Sequence, residues 1–169
     1  LNSINRYILK SDRDTAAEYV TKFSRLIRMI LDNSRLNIVS LGNEIASLKL
    51  YVEMETMRFD NKFNVAIEVS AGIDADQTMV PPMIFQPYVE NAIWHGLMHK
   101  NEPGKIEITF RREGEYLICV IDDNGVGRKR ARELESKFAV KNKSHGLMVT
   151  AKRLSIFNQQ ENLKDEITI

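Results

Sequence analysis

One stretch decides the fold, Ile118-Cys-Val-Ile-Asp-Asp-Asn-Gly-Val-Gly-Arg128. It predicts a β-strand that ends in a carboxylate and a glycine turn. Because side chains alternate between the two faces of a strand, Asp123 is expected on the same buried face as Cys119. A buried carboxylate is costly unless hydrogen-bond donors reach it, and Gly125 and Gly127 leave bare backbone beside it. Such a pocket suits a planar group that carries an amine, adenine for example.

The same stretch also fits a simple turn. Asn-Gly is a strong hairpin signal, and a hairpin needs no ligand. From this segment alone, a turn and a ligand site are equally good interpretations.

The composition is that of a globular chain of ordinary domain size. Of its 169 residues 43% are hydrophobic and 28% charged, and a net charge of +1 gives no bias toward nucleic acid or an anionic membrane. The single cysteine, Cys119, excludes an internal disulfide and favours a reducing compartment. No apolar run is long enough to span a bilayer. Because the chain starts without Met and ends in strand-like residues, Ile167-Thr-Ile169, we interpret it as a fragment.

Residues 1–36 predict a helical hairpin. Apolar residues recur at helical spacing over residues 1–10, and after a polar turn a second helix is expected over about residues 15–33, with Asp14 as its N-cap. The apolar stripe of this second helix comprises Ala16, Val20, Phe23, Ile27, Ile30 and Leu31. Since the first helix is too short to bury its stripe alone, we expect a bundle with a second copy of the chain. Packing on the main domain of the same chain is the alternative.

Residues 37–169 predict an α+β domain. The expected order is a helix over residues 41–58, a strand over 63–69, a loop over 71–79 and a helix from Pro82 to about residue 99. Strands over residues 105–111 and 116–122 then pair antiparallel around the turn Glu113-Gly-Glu115. Each strand has one apolar face, so helices should cover one side of a mostly antiparallel sheet.

The helix after Pro82 carries unusual polar residues, in Pro82-Met-Ile-Phe-Gln-Pro-Tyr-Val-Glu-Asn-Ala-Ile-Trp-His-Gly96. Asn91 and His95 are four residues apart and therefore share one face of a helix. An amide oxygen and an imidazole on one face suit a hydrated Mg²⁺ ion and a phosphate. The alternative is that both are solvated, or that His95 caps the helix end near Gly96.

Residues 128–144 hold seven basic and only two acidic residues. This run is either a solvated face or a mobile lid whose cations meet phosphates. Ser144-His-Gly-Leu147 then opens a helix, and the free amides of a helix start attract anions. Other sites are not indicated, because the dinucleotide and phosphate-loop glycine patterns are absent and the three histidines and one cysteine are scattered.

Three segments in this order resemble the N, G1 and G2 boxes of the GHKL ATP-binding superfamily. They are Glu90-Asn-Ala-Ile-Trp-His-Gly96, Asp123-Asn-Gly-Val-Gly127 and Ser144-His-Gly-Leu147. The longer segment that starts at Pro81 resembles most closely the sensor histidine kinases of the LytS/YehU type, and the N-terminal hairpin resembles their dimerisation and phosphotransfer helices. The resemblance covers essentially the whole chain.

This resemblance implies a Bergerat-type two-layer α/β sandwich whose closing strands would lie beyond Ile169. It also implies ATP and Mg²⁺ as cofactors. Asp123 would accept a hydrogen bond from the adenine amino group, and Gly125 and Gly127 would shape the adenine pocket.

The phosphate end of the implied site is built by the other two boxes. Asn91 would bind Mg²⁺, and Glu90 and His95 would lie in the phosphate region as catalytic residues. Gly146 and Leu147 would present amides to the phosphates from the start of their helix.

The implied activity is that of an ATP-dependent protein histidine kinase of a two-component system. The γ-phosphoryl group would pass to a histidine and then to an aspartate of a response-regulator receiver domain. That histidine lies upstream of Leu1 in the family, and His95, His99 and His145 do not match it, so the chain should not phosphorylate itself. The resemblance further implies a homodimer and a cytoplasmic domain of a parent protein in the bacterial inner membrane, without a nucleic-acid partner.

Two residues depart from the family pattern. Ser144 replaces the first glycine of the third box, which bears on the hinge of the lid. Pro87 stands where hydrolytic relatives carry a glutamate one turn before the metal-binding Asn, so ATP should be a phosphoryl donor and not a substrate for rapid hydrolysis. The alternatives are a GHKL-type ATPase, a serine protein kinase, and a degenerate nucleotide-binding dimerisation module.

Overall fold

The computed structural model describes residues 12–98, 100 and 102–127. Within them lie the α-helices α1 (Arg13–Ser34), α2 (Leu41–Arg58) and α3 (Gln86–Asn91), and a π-helix (Ala92–Leu97) that continues α3. The strands there are β1 (Val39–Ser40), β2 (Phe63–Val69), β3 (Met79–Val80), β4 (Gly104–Glu113) and β5 (Tyr116–Asp123). The predicted first helix, the predicted lid at 128–144 and the helix with Gly146 and Leu147 lie outside the described residues.

Helix α1 begins two residues before the predicted start. Its N-cap is Asp12, whose Oδ1 accepts a hydrogen bond from the Thr15 N–H at 3.1 Å, so the predicted cap at Asp14 was wrong. Asp14 lies in the first turn instead, where a negative charge is favoured by the positive end of the helix dipole.

The apolar residues of α1 form two stripes rather than one. The first contacts the core and comprises Ala16, Tyr19, Leu26, Met29 and Ile30. The second is exposed and comprises Val20 (42%), Phe23 (39%), Ile27 (39%) and Leu31 (56%). Within the described part of the chain, therefore, four of the six residues in the predicted stripe are left uncovered.

Helix α2 has the predicted bounds. The Ser40 hydroxyl caps its start by accepting a hydrogen bond from the Asn43 N–H at 3.2 Å. The helix stops after Arg58 because Asp60 and Asn61 take left-handed backbone conformations, with φ of 52° and 58°. Most sides of α2 are buried, since α1 packs on it from one direction and the core lies on the other.

Three strands form the main sheet in the order β2-β4-β5. Strands β4 and β5 are antiparallel, with Ile108 opposite Ile121 and Phe110 opposite Cys119, and Gly114 turns the chain between them with a φ of 61°. Strands β2 and β4 are parallel, and β1 and β3 form a separate antiparallel pair. The predicted α+β class is confirmed. The parallel pairing and the strand inside the predicted loop were not foreseen.

The helix predicted from Pro82 begins only at Gln86. Met83 has a φ of 55°, which a right-handed helix cannot include, so the chain makes another turn before α3 starts. Pro87, and not Pro82, is the proline of the first helical turn.

The core lies between one face of the main sheet and the helices. Ile106, Ile108 and Phe110 of β4 are fully buried there, and the Phe85 ring meets the Phe110 ring edge-on at 5.0 Å between centroids. The helical side contributes Leu41, Leu48, Val89 and Ile93. Helices thus cover one face of the sheet, as predicted. Among the described residues, no helix combines the length and the apolar character needed to cross a membrane.

Candidate functional site

Asp123 is the last residue of β5 and lies opposite Ile106, in the row that faces the core, as predicted. The expectation that it is buried was wrong, because its side chain is exposed. The reason is local: its neighbours Gly96 and Gly125 have no side chains to cover the carboxylate. Cys119 in the same row is half-buried, and burial raises the pKa of its thiol to about 12.

Gly96 and Gly125 bring the end of the π-helix into contact with the end of β5. A Cβ on Gly125 would lie 2.5 Å from the Gly96 Cα and 2.5 Å from the Asp123 Oδ1, and a Cβ on Gly96 would lie 2.7 Å from that oxygen. The Val126 N–H donates to the Gly96 carbonyl at 3.0 Å. The contact with the Gly96 backbone requires glycine at position 125, and a Cβ on Gly96 would displace the Asp123 carboxylate.

The loop after Asp123 forms a turn that engages one oxygen of the carboxylate. The Gly125 N–H donates to the Asp123 Oδ1 at 2.9 Å. Asn124 ties the loop to β4, since its Oδ1 accepts from the Lys105 N–H at 2.8 Å and its N–H donates to the Lys105 carbonyl at 3.1 Å. Among the described residues, no hydrogen bond reaches the Asp123 Oδ2. The turn and the ligand site are therefore compatible interpretations of this segment.

Asn91 and His95 lie one turn apart on the helix that ends at this loop. Asn91 closes α3, and His95 belongs to the π-helix, where the Met98 N–H donates to the Ile93 carbonyl five residues back at 3.0 Å. Both site side chains are half-buried. A π turn is rare and occurs frequently at functional sites.

A second polar cluster lies between α2 and the helix that carries Asn91. The Arg58 guanidinium stacks on the Trp94 ring at 4.6 Å from its centroid and pairs with the Glu55 Oε1 at 3.4 Å. One turn before Trp94, Glu90 accepts a hydrogen bond from the Gln86 Nε2 at 3.0 Å. Glu90, predicted for the phosphate region, is thus also a neighbour of this cluster.

Burial controls the protonation of the second cluster. It raises the pKa of the Glu55 carboxyl, and the charge of Arg58 opposes this rise. It also raises the pKa of the Tyr51 hydroxyl, with the charges of Glu55 and Glu90 acting in the same direction. The Glu55 Oε2 has no hydrogen-bond partner among the described residues. Sequence reasoning missed this cluster, although Glu55 and Arg58 stand three apart on a predicted helix, which is the spacing of an ion pair.

The residues at the Asp123 loop fit an adenine nucleotide that carries Mg²⁺. The Asp123 Oδ2 would be available to an exocyclic amine, beside the bare backbone of Gly96. Gly127 follows with a φ of 79°, and no atom lies within 4 Å of the position that a Cβ would take there, which leaves open space at this end. Gly146 and Leu147, predicted for the phosphate end, lie outside the described residues.

The described residues offer single metal ligands rather than a complete metal site. No group of three or more His, Cys, Asp or Glu side chains among them could hold an ion on its own. Mg²⁺ normally takes one or two protein oxygens and completes its shell with phosphate and water. The amide oxygen of Asn91 would be one such ligand.

The chain is similar in sequence to bacterial sensor kinases. Residues 1–63 match the family model described as Histidine kinase. The chain is 28% identical over 128 residues to the sensor protein LytS of Staphylococcus haemolyticus, 30% over 149 residues to YwpD of Bacillus subtilis, and 32% over 124 residues to the sensor histidine kinase BtsS of Escherichia coli. These alignments cover 75%, 86% and 73% of the chain, and 22%, 52% and 21% of the relatives.

These matches give the class: the chain is a relative of the sensor histidine kinases. Within that class it resembles the LytS/YehU type, as the segments around Asn91 and Asp123 predicted. The chain spans only about a fifth to a half of the length of these relatives.

Proposed function

We propose that this chain is the ATP-binding catalytic domain of a two-component sensor histidine kinase, with part of its dimerisation hairpin. It binds ATP with Mg²⁺ and transfers the γ-phosphoryl group to a histidine upstream of Leu1. From there the phosphoryl group passes to an aspartate of a response-regulator receiver domain. The parent protein resides in the bacterial inner membrane, with this part in the cytoplasm.

One observation carries the proposal, the contact of the π-helix end with the Asp123 loop. The Val126 N–H donates to the Gly96 carbonyl at 3.0 Å, and Gly125 lies so close to the Gly96 backbone that position 125 does not tolerate a side chain. The helix that carries Asn91 and His95 thereby ends against the loop that carries the Asp123 carboxylate. That combination suits a nucleotide whose base lies at the loop and whose phosphates lie along the helix.

Each residue has a distinct role in the proposed site. Asp123 accepts a hydrogen bond from the adenine amine through its Oδ2 and selects the base. Asn91 supplies its amide oxygen to the Mg²⁺ ion, whose charge neutralises the phosphates. His95 and Glu90 lie in the phosphate region, where the His95 imidazole can donate to a phosphate oxygen, and Gly146 presents its backbone amide from the start of the next helix.

The residues that precede Asn91 favour phosphorylation of a histidine over hydrolysis of ATP. Pro87, one turn earlier, lies in the first turn of α3 and has no side-chain base to activate water. Glu90, the adjacent carboxylate, accepts a hydrogen bond from Gln86 on its own helix. The residue one turn before Asn91 therefore offers no base to activate water, which favours transfer of the phosphoryl group to a side-chain acceptor.

Labelled ATP tests this proposal. We expect the chain with γ-³²P-ATP and Mg²⁺ to release phosphate no faster than its Asn91→Ala variant. The parent protein with its upstream histidine should acquire an acid-labile label, and its own Asn91→Ala variant should not. Rapid phosphate release would favour a GHKL-type ATPase, an acid-stable label a serine kinase, and ATP binding without any transfer in the parent a degenerate module.

The exposed stripe of α1 supports a homodimer through the N-terminal hairpin. Its four residues, Val20, Phe23, Ile27 and Leu31, recur at helical spacing and remain 39–56% exposed beside a separate stripe that already contacts the core. An apolar stripe of this kind suits a bundle with a second copy of the same helix.

Charge on this stripe should break the dimer. We expect Phe23→Glu with Ile27→Glu to cost about 3 kcal/mol or more of association energy, a rise in Kd of over a hundredfold, because each buried apolar side chain contributes about 1.5–3 kcal/mol. Thr21→Glu, also exposed on α1 but off the stripe, is the matched control. Sedimentation velocity distinguishes monomer from dimer, and a dimer that survives the double substitution would contradict this interface.

A further inference from the structure

Glu44 joins the helix after the hairpin to the segment that leads into the site helix. It lies in the first turn of α2 and is only 1% exposed. Its Oε2 accepts a hydrogen bond from the Met83 N–H at 2.8 Å, and its Oε1 accepts from the Phe85 N–H at 3.4 Å. Both donors belong to the turn immediately before α3.

Helix α3 has no cap of its own. Phe85 occupies the N-cap position and offers no side-chain hydrogen bond, and Pro87 has no N–H to donate. The amides of a helix start need acceptors, and a negative charge is favoured there. The Glu44 carboxylate, which belongs to α2, provides an acceptor and a negative charge at the start of α3.

The backbone that Glu44 holds is in an unusual conformation. Met83 has a φ of 55°, a left-handed value that a long side chain rarely adopts because its Cβ crowds the following carbonyl oxygen. Such a conformation persists only where surrounding contacts determine it. The hydrogen bond from the Met83 N–H to a buried carboxylate is such a contact, and it sets the direction in which the chain enters α3.

We propose that Glu44 is a positioning residue for the nucleotide site. By holding Met83 and Phe85 it fixes the axis of α3 and the π-helix, and therefore the place of Asn91 relative to the Asp123 loop. Glu44 touches neither nucleotide nor metal. It acts on the phosphate and Mg²⁺ end of the site, whereas the base end depends on Asp123 and Gly125 at the end of β5. This inference rests on the proposed function, because it concerns the same ATP site.

Because Glu44 should affect only the phosphate and Mg²⁺ end of the site, its role can be tested by how much Mg²⁺ tightens ATP binding. Calorimetric titration of ATP, once with Mg²⁺ and once with EDTA, yields the factor by which Mg²⁺ tightens binding. In Glu44→Ala we expect this factor to fall toward one, because Asn91 is displaced, while the Kd without Mg²⁺ changes less than threefold. Glu44→Gln keeps one acceptor for one of the two amides and should show a smaller reduction of the same factor.

Two further variants separate positioning from mere folding. Glu53→Ala removes an exposed glutamate of the same helix, one that pairs with Lys22 of α1, and should leave the Mg²⁺ factor unchanged. Met83→Gly in the Glu44→Gln background should recover part of the factor, because glycine adopts the left-handed conformation without help. Thermal unfolding followed by circular dichroism checks that each variant is folded. If Glu44→Ala does not fold, the Mg²⁺ factor of Glu44→Gln decides the test.

The outcomes distinguish the two proposals. A wild-type chain that binds no ATP would overturn the proposed function and the role of Glu44 with it. A wild-type chain that binds ATP, with folded Glu44→Ala and Glu44→Gln variants that keep the full Mg²⁺ factor or lose ATP equally with and without Mg²⁺, would overturn only the positioning role.

Discussion

Replacement of Gly125 by alanine is expected to abolish ATP binding and to lower the free energy of unfolding by about 3 kcal/mol. The new Cβ would lie 2.5 Å from the Gly96 Cα and 2.5 Å from the Asp123 Oδ1, and neither can retreat cheaply. The Gly96 atom belongs to the backbone of the π-helix, and the Asp123 oxygen is held by the Gly125 N–H. The strand end and the helix end must therefore separate, which removes both the packing and the shared site.

Chemical denaturation measures the free energy of unfolding of the Gly125→Ala variant, and ATP titration measures its affinity for ATP. Gly72→Ala is the matched control, because no atom lies within 4 Å of the position that its new Cβ would take, and its stability should stay within about 1 kcal/mol of wild type. A Gly125→Ala variant with wild-type stability and wild-type ATP affinity would show that the contact between the π-helix and the Asp123 loop does not shape the site.

Asp123→Asn is expected to weaken ATP binding by roughly tenfold to a hundredfold, the equivalent of about 1–3 kcal/mol for an unmade hydrogen bond. The carboxylate has two acceptor oxygens. One accepts from the Gly125 N–H at 2.9 Å, and the proposed role of the other is to accept from the adenine amine. The amide of asparagine has a single acceptor oxygen, so one of the two donors loses its partner.

Asp122→Asn provides the control for this substitution. Asp122 precedes Asp123 on β5, is also exposed, and lies opposite Glu107 on the other face of the sheet. Its substitution removes the same charge without altering the proposed pocket, and ATP affinity should change less than threefold. An unchanged affinity in Asp123→Asn, measured by calorimetry on a folded variant, would remove Asp123 from the site.

Local patterns in the sequence were sufficient for the elements that bury one regular face. The alternation in β2, β4 and β5 predicted each strand to within two residues, and the bounds of α2 were predicted without error. Ser40 caps α2 and Gly114 turns the β4–β5 hairpin, and both are short-range effects that the sequence displays directly. Strands β1 and β3 have two residues each, which is too short to show an alternation of apolar and polar residues, so the sequence did not predict them.

Long-range contacts account for the errors. The start of α3 was misplaced because the conformation of Met83 depends on Glu44, which lies 39 residues earlier in the chain. The parallel pairing of β2 with β4 is likewise a contact between distant segments. For α1, the stripe that packs on the core through Tyr19, Leu26 and Met29 was not predicted, because its position depends on where α2 lies.

The candidate site was predictable only in part for the same reason. The motifs around Asn91 and Asp123 were visible as segments, and the structure adds that Gly96 and Gly125 bring them together. The burial of Asp123 was predicted wrongly, since strand alternation gives a face but does not reveal that the residue packed against the carboxylate from the neighbouring helix is Gly96. Neither Glu44 nor Glu55 was singled out, because each gains its significance from partners on another helix or turn.

Calorimetric titration of the wild-type chain with Mg·ATP and with Mg·GTP tests the central claim most directly. The Asp123 Oδ2 can accept a hydrogen bond from the adenine amine, whereas guanine presents a carbonyl at that position, which an acceptor repels. We predict saturable binding of ATP and at least roughly tenfold weaker binding of GTP, the consequence of one lost hydrogen bond of about 1.4 kcal/mol. Absence of ATP binding, or equal affinity for the two nucleotides, would contradict the assignment of this chain as an adenine-nucleotide-binding kinase domain.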